Sequence, residues 1–310
     1  MITVIIPARP GESEVKSAAA ARQLDYPANN LEIIIARGRQ PSIQRNTALK
    51  SARGEIIYFL DDDSLPAAGN LRRALSHFAN PEVKMVGGPN ICPVDAPTLE
   101  QTFALTMGSW LAFGPSRARY RATGKTRESS EKELILCNLL ARRDALLELG
   151  GFDEKLYPNE ENALMDNLQK RGGKLIYDPS LIVFRRPRQS WKAFLKMLLN
   201  YGRGRAEQFR SHPTIGSAMN FVPPLFCIYL LAVWFLPPMF FILLPAYLVA
   251  VLAQAILIVP PKQWFCLPQL MLLIFLSHVF YGLGFWRGLI TRLKAPTQQL
   301  ASEVKLEIFH

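Results

Sequence analysis

Short apolar runs alternate with longer mixed stretches along the first half of this chain. Thr3–Pro7, Leu31–Ile35, Glu55–Leu60 and Lys84–Gly87 are each too short for a helix and rich in β-branched or aromatic residues, which predicts buried strands. The stretches between them predict a polar helix around Ser13–Leu24, a helix at Ile43–Ala52 and another at Ala68–Phe78. Loops Ala8–Glu12 and Ala36–Ser42 follow the first two strands. This β-α-β-α-β rhythm predicts an α/β domain with a mainly parallel sheet and right-handed crossovers. Further on, Thr98–Phe113 reads as a helix and Gly114–Ser130 as a basic loop carrying Arg117, Arg119, Arg121, Lys125 and Arg127. A loop of that length tends to be functional or mobile. Leu134–Ala141 is strand-like, and Arg143–Leu149 is a short helix stopped by Gly150-Gly151. Glu160–Arg171 is a helix capped by Gly172, and Lys174–Tyr177 is a further strand.

The pattern then changes. No Asp, Glu, Lys or Arg occurs from Ser211 to Pro261, nor from Gln263 to Trp286. Both stretches exceed the roughly 20 residues that cross a bilayer. Pro223-Pro224 and Pro237-Pro238 punctuate the first, so it forms either two short crossings with a turn near Pro237 or one crossing and an interfacial piece. Trp264–Trp286 is a cleaner single segment. Just before this region, Trp191–Phe209 places Trp191, Phe194, Leu195, Leu198 and Leu199 on one stripe of a basic helix, which predicts a helix lying in the membrane interface. The expected organisation is a catalytic domain over 1–184, a basic interfacial segment over 185–216, two or three transmembrane helices over 217–289 and a short tail over 290–310.

Charge refines this picture. The net charge of +11 is concentrated at Arg185, Arg186, Arg188, Lys192, Lys196, Arg203, Arg205 and Arg210, beside the apolar region, and so points to a membrane surface rather than to nucleic acid. Positive charge there places the N-terminal part in the cytoplasm, on an inner membrane crossed several times. Arg287, Arg292 and Lys294 beyond the last segment also favour the cytoplasm, which requires an even number of crossings, whereas segment counting gives three. Met1–Pro7 lacks the basic start and cleavage site of a signal peptide. Cys92, Cys137, Cys227 and Cys266 form no C-x-x-C pair, so neither zinc nor a disulfide framework is expected, and His278 reads as a hydrogen-bonded packing residue.

The strongest chemical signal is Ile56-Ile57-Tyr58-Phe59-Leu60 ending in Asp61-Asp62-Asp63. Three acids at the end of a buried strand are costly unless something positive neutralises them. A divalent ion on a phosphate-rich ligand would do so, at the strand ends where open α/β sheets bind ligands. The plainer alternative is a solvated turn through Asp63-Ser64-Leu65-Pro66.

Four segments together resemble the family 2 glycosyltransferases of GT-A fold, over about Thr3 to Arg210: Val4-Ile5-Ile6-Pro7-Ala8-Arg9 with Glu12; Gln44-Arg45-Asn46 with Ala52-Arg53-Gly54-Glu55-Ile56-Ile57; Phe59-Leu60-Asp61-Asp62-Asp63; and Gly150-Gly151-Phe152-Asp153-Glu154 with Asn159-Glu160-Glu161. Asn200–Ala206 and Tyr281–Phe285 are similar to membrane-bound exopolysaccharide enzymes of the succinoglycan type. The resemblance implies roles. Asp61 and Asp63 match a DxD motif holding Mg2+ or Mn2+; Pro7, Ala8, Arg9, Glu12, Arg37, Arg45, Asp61 and Asp62 would bind the nucleotide-sugar, a UDP-, GDP- or dTDP-sugar. Glu161 aligns with the catalytic base, with Glu160 as the alternative, and both acids would also suit a helix N-terminus with no catalytic role. Arg185, Arg186, Arg203 and Arg205 would meet the pyrophosphate of a polyprenyl-linked acceptor, or simply anionic membrane lipid.

The chain departs from the pattern in two places. Ala36-Arg37-Gly38-Arg39 stands where the family commonly has a base-reading Asp, and no Q-x-x-R-W motif follows the acids, which implies transfer of one sugar. The expected function is thus inverting transfer of one sugar to a polyprenyl-pyrophosphate-linked saccharide in surface-polysaccharide synthesis. Its alternatives are transfer to polyprenyl phosphate and a degenerate membrane scaffold.

Overall fold

The computed structural model describes residues 1–154, 160–211, 215–291 and 303–310. Its strands are β1 (Ile2–Ala8), β2 (Leu31–Arg37), β3 (Ile56–Leu60), β4 (Leu65–Pro66), β5 (Val83–Gly87), β6 (Asn90–Ile91), β7 (Arg127–Glu128), β8 (Asn138–Arg142), β9 (Lys174–Tyr177), β10 (Val183–Phe184) and β11 (Lys305–Phe309). Its helices are α1 (Lys16–Ala21), α2 (Pro41–Ser51), α3 (Asn70–His77), α4 (Thr98–Met107), α5 (Trp110–Phe113), α6 (Arg143–Glu148), α7 (Glu160–Lys170), α8 (Trp191–Ser211), α9 (Val222–Ala232), α10 (Leu243–Ile258) and α11 (Leu267–Ile290). The chain divides into two compact units. One gathers Met1–Pro93, Ala118–Arg186 and the described end of the chain; the other gathers Val94–Arg117 with the helices that follow Pro187.

The first unit is built on a sheet in the order β11-β2-β1-β3-β8-β5-β9-β7. β2, β1, β3, β5 and β9 run in one direction, and β11, β8 and β7 run against them. Every residue of β1 and β3 is buried, because helices cover both faces. Ile5, Ile34 and Phe59 pack on one side with Leu49, Leu146 and Leu164, while Ile6, Ile35 and Tyr58 pack on the other with Ala18, Leu71 and Ala74. Gln40 caps α2 by accepting the Ile43 N–H at 2.8 Å, and Pro41 opens it. Gly172 ends α7 with φ +84°, as the sequence predicted. A small second sheet, β4-β10-β6, pairs Phe184 with Leu65.

Several expected boundaries shift. The polar helix of Ser13–Leu24 shortens to α1. The strand expected at Leu134–Ala141 begins only at Asn138: Leu134 and Leu136 are buried in the core, but the chain turns where the Asn138 N–H reaches the Ile135 carbonyl. The helix expected at Thr98–Phe113 breaks at Gly108-Ser109 into α4 and α5, and Ser109 caps the second. These two helices group with the second unit, so the domain expected over 1–184 is interrupted at 94–117. The basic loop is braced against the residues that follow it and against α7 and β9. Arg119 donates to Asn162 at 2.7 Å and to the Glu131 and Lys132 carbonyls, and Arg127 pairs with Glu133 while lying over the Tyr177 ring. The expected tail ends in β11, which pairs with β2.

In the second unit three helical stretches are long and apolar enough to cross a membrane: Ala218–Phe235, Pro238–Ile258 and Pro261–Ile290. The break between the first two falls at Leu236-Pro237. Part of the stripe expected on α8 is covered by protein: Phe194 and Leu198 are buried, Phe194 stacks on Phe103 with ring centres 4.3 Å apart, and the half-buried Trp191 meets the same ring edge-on. α8 also runs close to α11, since a Cβ at Gly202 would lie 2.0 Å from the Tyr281 carbonyl and one at Gly284 would lie 2.1 Å from the Leu199 carbonyl. An apolar stripe needs cover, and here the protein supplies part of it. His278 accords with its packing role: it contacts the Tyr247 hydroxyl at 2.8 Å and the Leu111 carbonyl at 2.9 Å.

Candidate functional site

The loops after β1, β2 and β3 lie side by side because these strands are adjacent and parallel. Pro7 and Ala8 are buried at the end of β1, while Arg9 is exposed and Glu12 half-buried in the turn beyond. Gln44, from α2, donates to the carbonyls of Ala8 and Ala36 and so ties the first two strand ends together. Arg37 does not stand free to meet a nucleotide. It donates from Nε and Nη2 to Glu307 of β11, and from Nη1 to the Glu12 carbonyl at 2.7 Å.

An ion network forms at the end of β3. Arg45, on α2, donates from Nη1 to Glu160 at 3.0 Å and from Nη2 to Asp61 at 3.2 Å. Arg185 donates from Nη1 to the other oxygen of Asp61 at 2.9 Å and from Nε to Asp63 at 2.6 Å. Asp61 therefore sits between two guanidinium groups. Arg185 was expected at a lipid-linked acceptor, and the structure instead draws it into the acid cluster. The cause is the β4–β10 pairing, which lays the residue after Phe184 beside the turn before Leu65. Burial would weaken the Arg185 charge, but Asp61, Cys137 and Asp63 outweigh it and hold the guanidinium firmly protonated. Asp62 instead shares a hydrogen bond with Glu12. Burial and the charges of Asp63, Glu12 and Asp61 push its carboxyl up to about 6.

The two glutamates at the start of α7 differ sharply. Glu160 is only 3% exposed. Its Oε1 takes the Arg45 bond, while Oε2 has no hydrogen-bond partner among the described residues. Burial, with the Glu161 charge beside it, lifts its carboxyl to about 8 against the pull of Arg45. Glu161 is half-buried, and among the described residues no hydrogen bond or ion pair ties its carboxylate. The Gly150-Gly151 turn leading toward them has φ of +79° and +81°. Asn46 staples it, donating to the Phe152 carbonyl and to Glu154. Asn159 lies outside the described residues.

Arg203 and Arg205 lie on α8, in the second unit, and each engages its own helix: Arg203 with Glu207 and Arg205 with Gln208. Arg186 also has an interaction partner. Sequence reasoning missed Glu307 entirely, because nothing local marks a carboxylate in the chain's last residues as a partner of Arg37. It also missed Cys137, which lies beside Arg185 and whose thiol burial pushes up to about 11.

Asp61 and Asp63 offer hard carboxylate oxygens, the latter about half exposed. Oxygens of this kind suit Mg2+ or Mn2+, which takes one or two carboxylates and completes its shell from phosphates and water, but here both Asp61 oxygens and Asp63 Oδ1 are engaged by Arg45 and Arg185, so an ion would have to displace guanidinium contacts. Among the described residues no group of three or more His, Cys, Asp or Glu gathers to hold an ion from the protein alone.

The family described as glycosyl transferase family group 2 matches residues 56–286. Two curated relatives, the pre-mycofactocin glycosyltransferases of Mycobacterium tuberculosis strains CDC 1551 / Oshkosh and ATCC 25618 / H37Rv, are each 26% identical over 173 residues, or 56% of this chain and 36% of the relative. The chain thus matches little more than a third of their length. Among solved structures, the mannosyltransferase PcManGT from Pyrobaculum calidifontis, in complex with GDP-Man and Mn2+, has a TM-score of 0.54 at 17% identity, covering 90% of this chain and 86% of that one. That likeness shows the fold.

Proposed function

The chain belongs to glycosyl transferase family group 2, and from that premise we propose that it transfers one sugar, with inversion, from a nucleotide-sugar to a polyprenyl-linked saccharide at a membrane. The observation that carries this reading is the network at the end of β3: Asp61, Asp63, Arg45, Arg185 and Glu160 converge there, with Glu161 following Glu160 in the first turn of α7. Converging titratable groups of opposite sign at the strand ends suit a diphosphate leaving group.

Each residue has a part in the transfer. Arg45 and Arg185 are placed to face developing negative charge on the leaving diphosphate. Asp61 and Asp63 would hold a divalent ion, which would add positive charge facing the leaving diphosphate. Glu161 takes the proton of the acceptor hydroxyl as its oxygen attacks the anomeric carbon. Glu160, protonated and bound to Arg45, keeps that guanidinium in place without adding a second free carboxylate beside Glu161.

The three apolar helical stretches support membrane residence, and the basic residues before them support a cytoplasmic catalytic unit on an inner membrane crossed several times. The acceptor side is assigned to Arg203 and Arg205, on the chemistry of guanidinium for pyrophosphate.

The test is turnover by the purified protein in detergent with Mn2+, across UDP-, GDP- and dTDP-sugars, with and without polyprenyl-linked acceptor. Release of a nucleoside diphosphate from one donor, lost on adding EDTA, is the expected result. Neither binding nor turnover of any donor by folded protein would overturn the reading in favour of a scaffold.

A further inference from the structure

β11 closes the edge of the sheet that β2 would otherwise leave open. Directly paired residues are Lys305 with Arg37, Glu307 with Ile35 and Phe309 with Ile33. These share one face, so Glu307 is the diagonal neighbour of Arg37. The contact is bidentate: Arg37 Nε to Glu307 Oε1 at 2.7 Å and Nη2 to Oε2 at 3.2 Å. Two-point contact fixes a guanidinium in direction as well as in place. The nitrogen left over, Nη1, then donates to the Glu12 carbonyl at 2.7 Å and more distantly to the Arg9 carbonyl at 3.4 Å.

Among the described residues, the turn that Arg37 holds is otherwise tied by the Asp62–Glu12 side-chain hydrogen bond and by two internal bonds. Its internal bonds, Glu12 N–H to the Arg9 carbonyl and Arg9 N–H to the Glu12 carboxylate, are both long at 3.4 Å. Gly11 sits in it at φ +79°, a conformation that glycine adopts at no steric cost. The rest of β11 is anchored independently. Val304 is buried in the core with Leu306 packed against it, and the Phe309 ring lies 4.8 Å from the Arg22 guanidinium carbon. Glu307 is therefore not needed merely to keep the strand on the sheet.

We infer that Glu307 is a positioning residue for donor binding: by clamping Arg37 it sets the Arg9–Glu12 turn. The inference rests on the donor site proposed above. A carboxylate from the end of the chain thus reaches the position after β2 where the sequence has no acid of its own.

The test uses the full-length protein in detergent and three readouts. Glu307→Gln should raise the donor KM about three- to tenfold with kcat unchanged, the size of one ordinary net hydrogen bond. It should also speed hydrogen exchange of the backbone amides at residues 9–14 in donor-free protein. The double swap Arg37→Glu with Glu307→Arg restores an ion pair between the strands but leaves the Glu12 and Arg9 carbonyls without their donor. It should recover the melting temperature of Glu307→Gln and not its KM. Recovery of both, or unchanged exchange at residues 9–14 in Glu307→Gln, would reduce Glu307 to a strand anchor and overturn the inference. The exchange readout needs no donor, so failure of the transferase reading and failure of this one are seen separately.

Discussion

Asn46 holds Phe152 by both ends of its amide: Oδ1 accepts the Phe152 N–H at 2.8 Å, and Nδ2 donates to the Phe152 carbonyl at 2.9 Å. A side chain of α2 thereby fixes the turn that leads toward α7, and the residue just before Asn46 on α2 is Arg45, the partner of Glu160. The close fit makes the two glycines unequal. A Cβ on Gly151 would lie 2.4 Å from Asn46 Oδ1, whereas a Cβ on Gly150 meets nothing within 4 Å. Gly150→Ala should cost only the left-handed backbone penalty of about 1–2 kcal/mol. Gly151→Ala should cost clearly more and lower donor turnover as well. Melting of the two variants in detergent checks the order.

Glu160 gives stability a pH dependence of defined sign. Its folded carboxyl titrates near 8 while an unfolded one titrates near 4.5, so the folded chain binds the extra proton between those values. Its contribution is complete below about 4.5 and is lost as pH rises through about 8. Asp62, raised to about 6, acts in the same direction over a lower window. Melting temperature should therefore fall from pH 5 to pH 8, and Glu160→Gln should flatten the upper part of that fall. A profile that is unchanged in Glu160→Gln would contradict the protonated state.

Asp61 and Asp63 should separate in stability, though the proposed reading gives both to the donor. Asp61 faces Arg45 and Arg185, whereas Asp63 faces Arg185 alone. Stripping the partner from a fully buried pair costs about 3–5 kcal/mol, and the partial exposure of both acids scales this down. Asp61→Ala should melt lower than Asp63→Ala. Titration calorimetry with a nucleoside diphosphate and Mn2+ should show weakened binding in both.

Glu161→Gln should keep donor binding and lose about 10²–10⁴-fold in kcat, the usual worth of a general base. Glu161→Asp should retain part of the rate. Normal transfer by Glu161→Gln, with Glu160→Gln inactive, would move the base to Glu160.

The pairing of β11 with β2 keeps residues 305–309 on the sheet of the first unit, so under the proposed membrane residence both belong to one side. An even number of complete crossings is therefore expected, although three stretches are long and apolar enough. Cysteines introduced as Ser13→Cys and His310→Cys should react with an impermeant maleimide from the same side. Labelling from opposite sides would require an odd number and dissolve the β11–β2 pairing.

What the sequence determined on its own was local. Continuous apolar runs marked β1, β2 and β3 because those strands are covered on both faces, and the acids at 61–63 marked where β3 ends. Gly150, Gly151 and Gly172 marked turns because only their backbone takes those φ values without strain. The uncharged stretches marked the three apolar helices by length alone. Tertiary structure decided every pairing across distance. Arg185 could be read as a lipid contact until the β4–β10 pairing carried it to Asp61 and Asp63, and Glu307 had no visible role until β11 met β2. The stripe on α8 shows the same division: amphipathicity states that a face must be covered, but the choice between lipid and Phe103 belongs to packing. A side chain's partner is set by which segments the fold brings together, and neighbours in sequence carry no record of it.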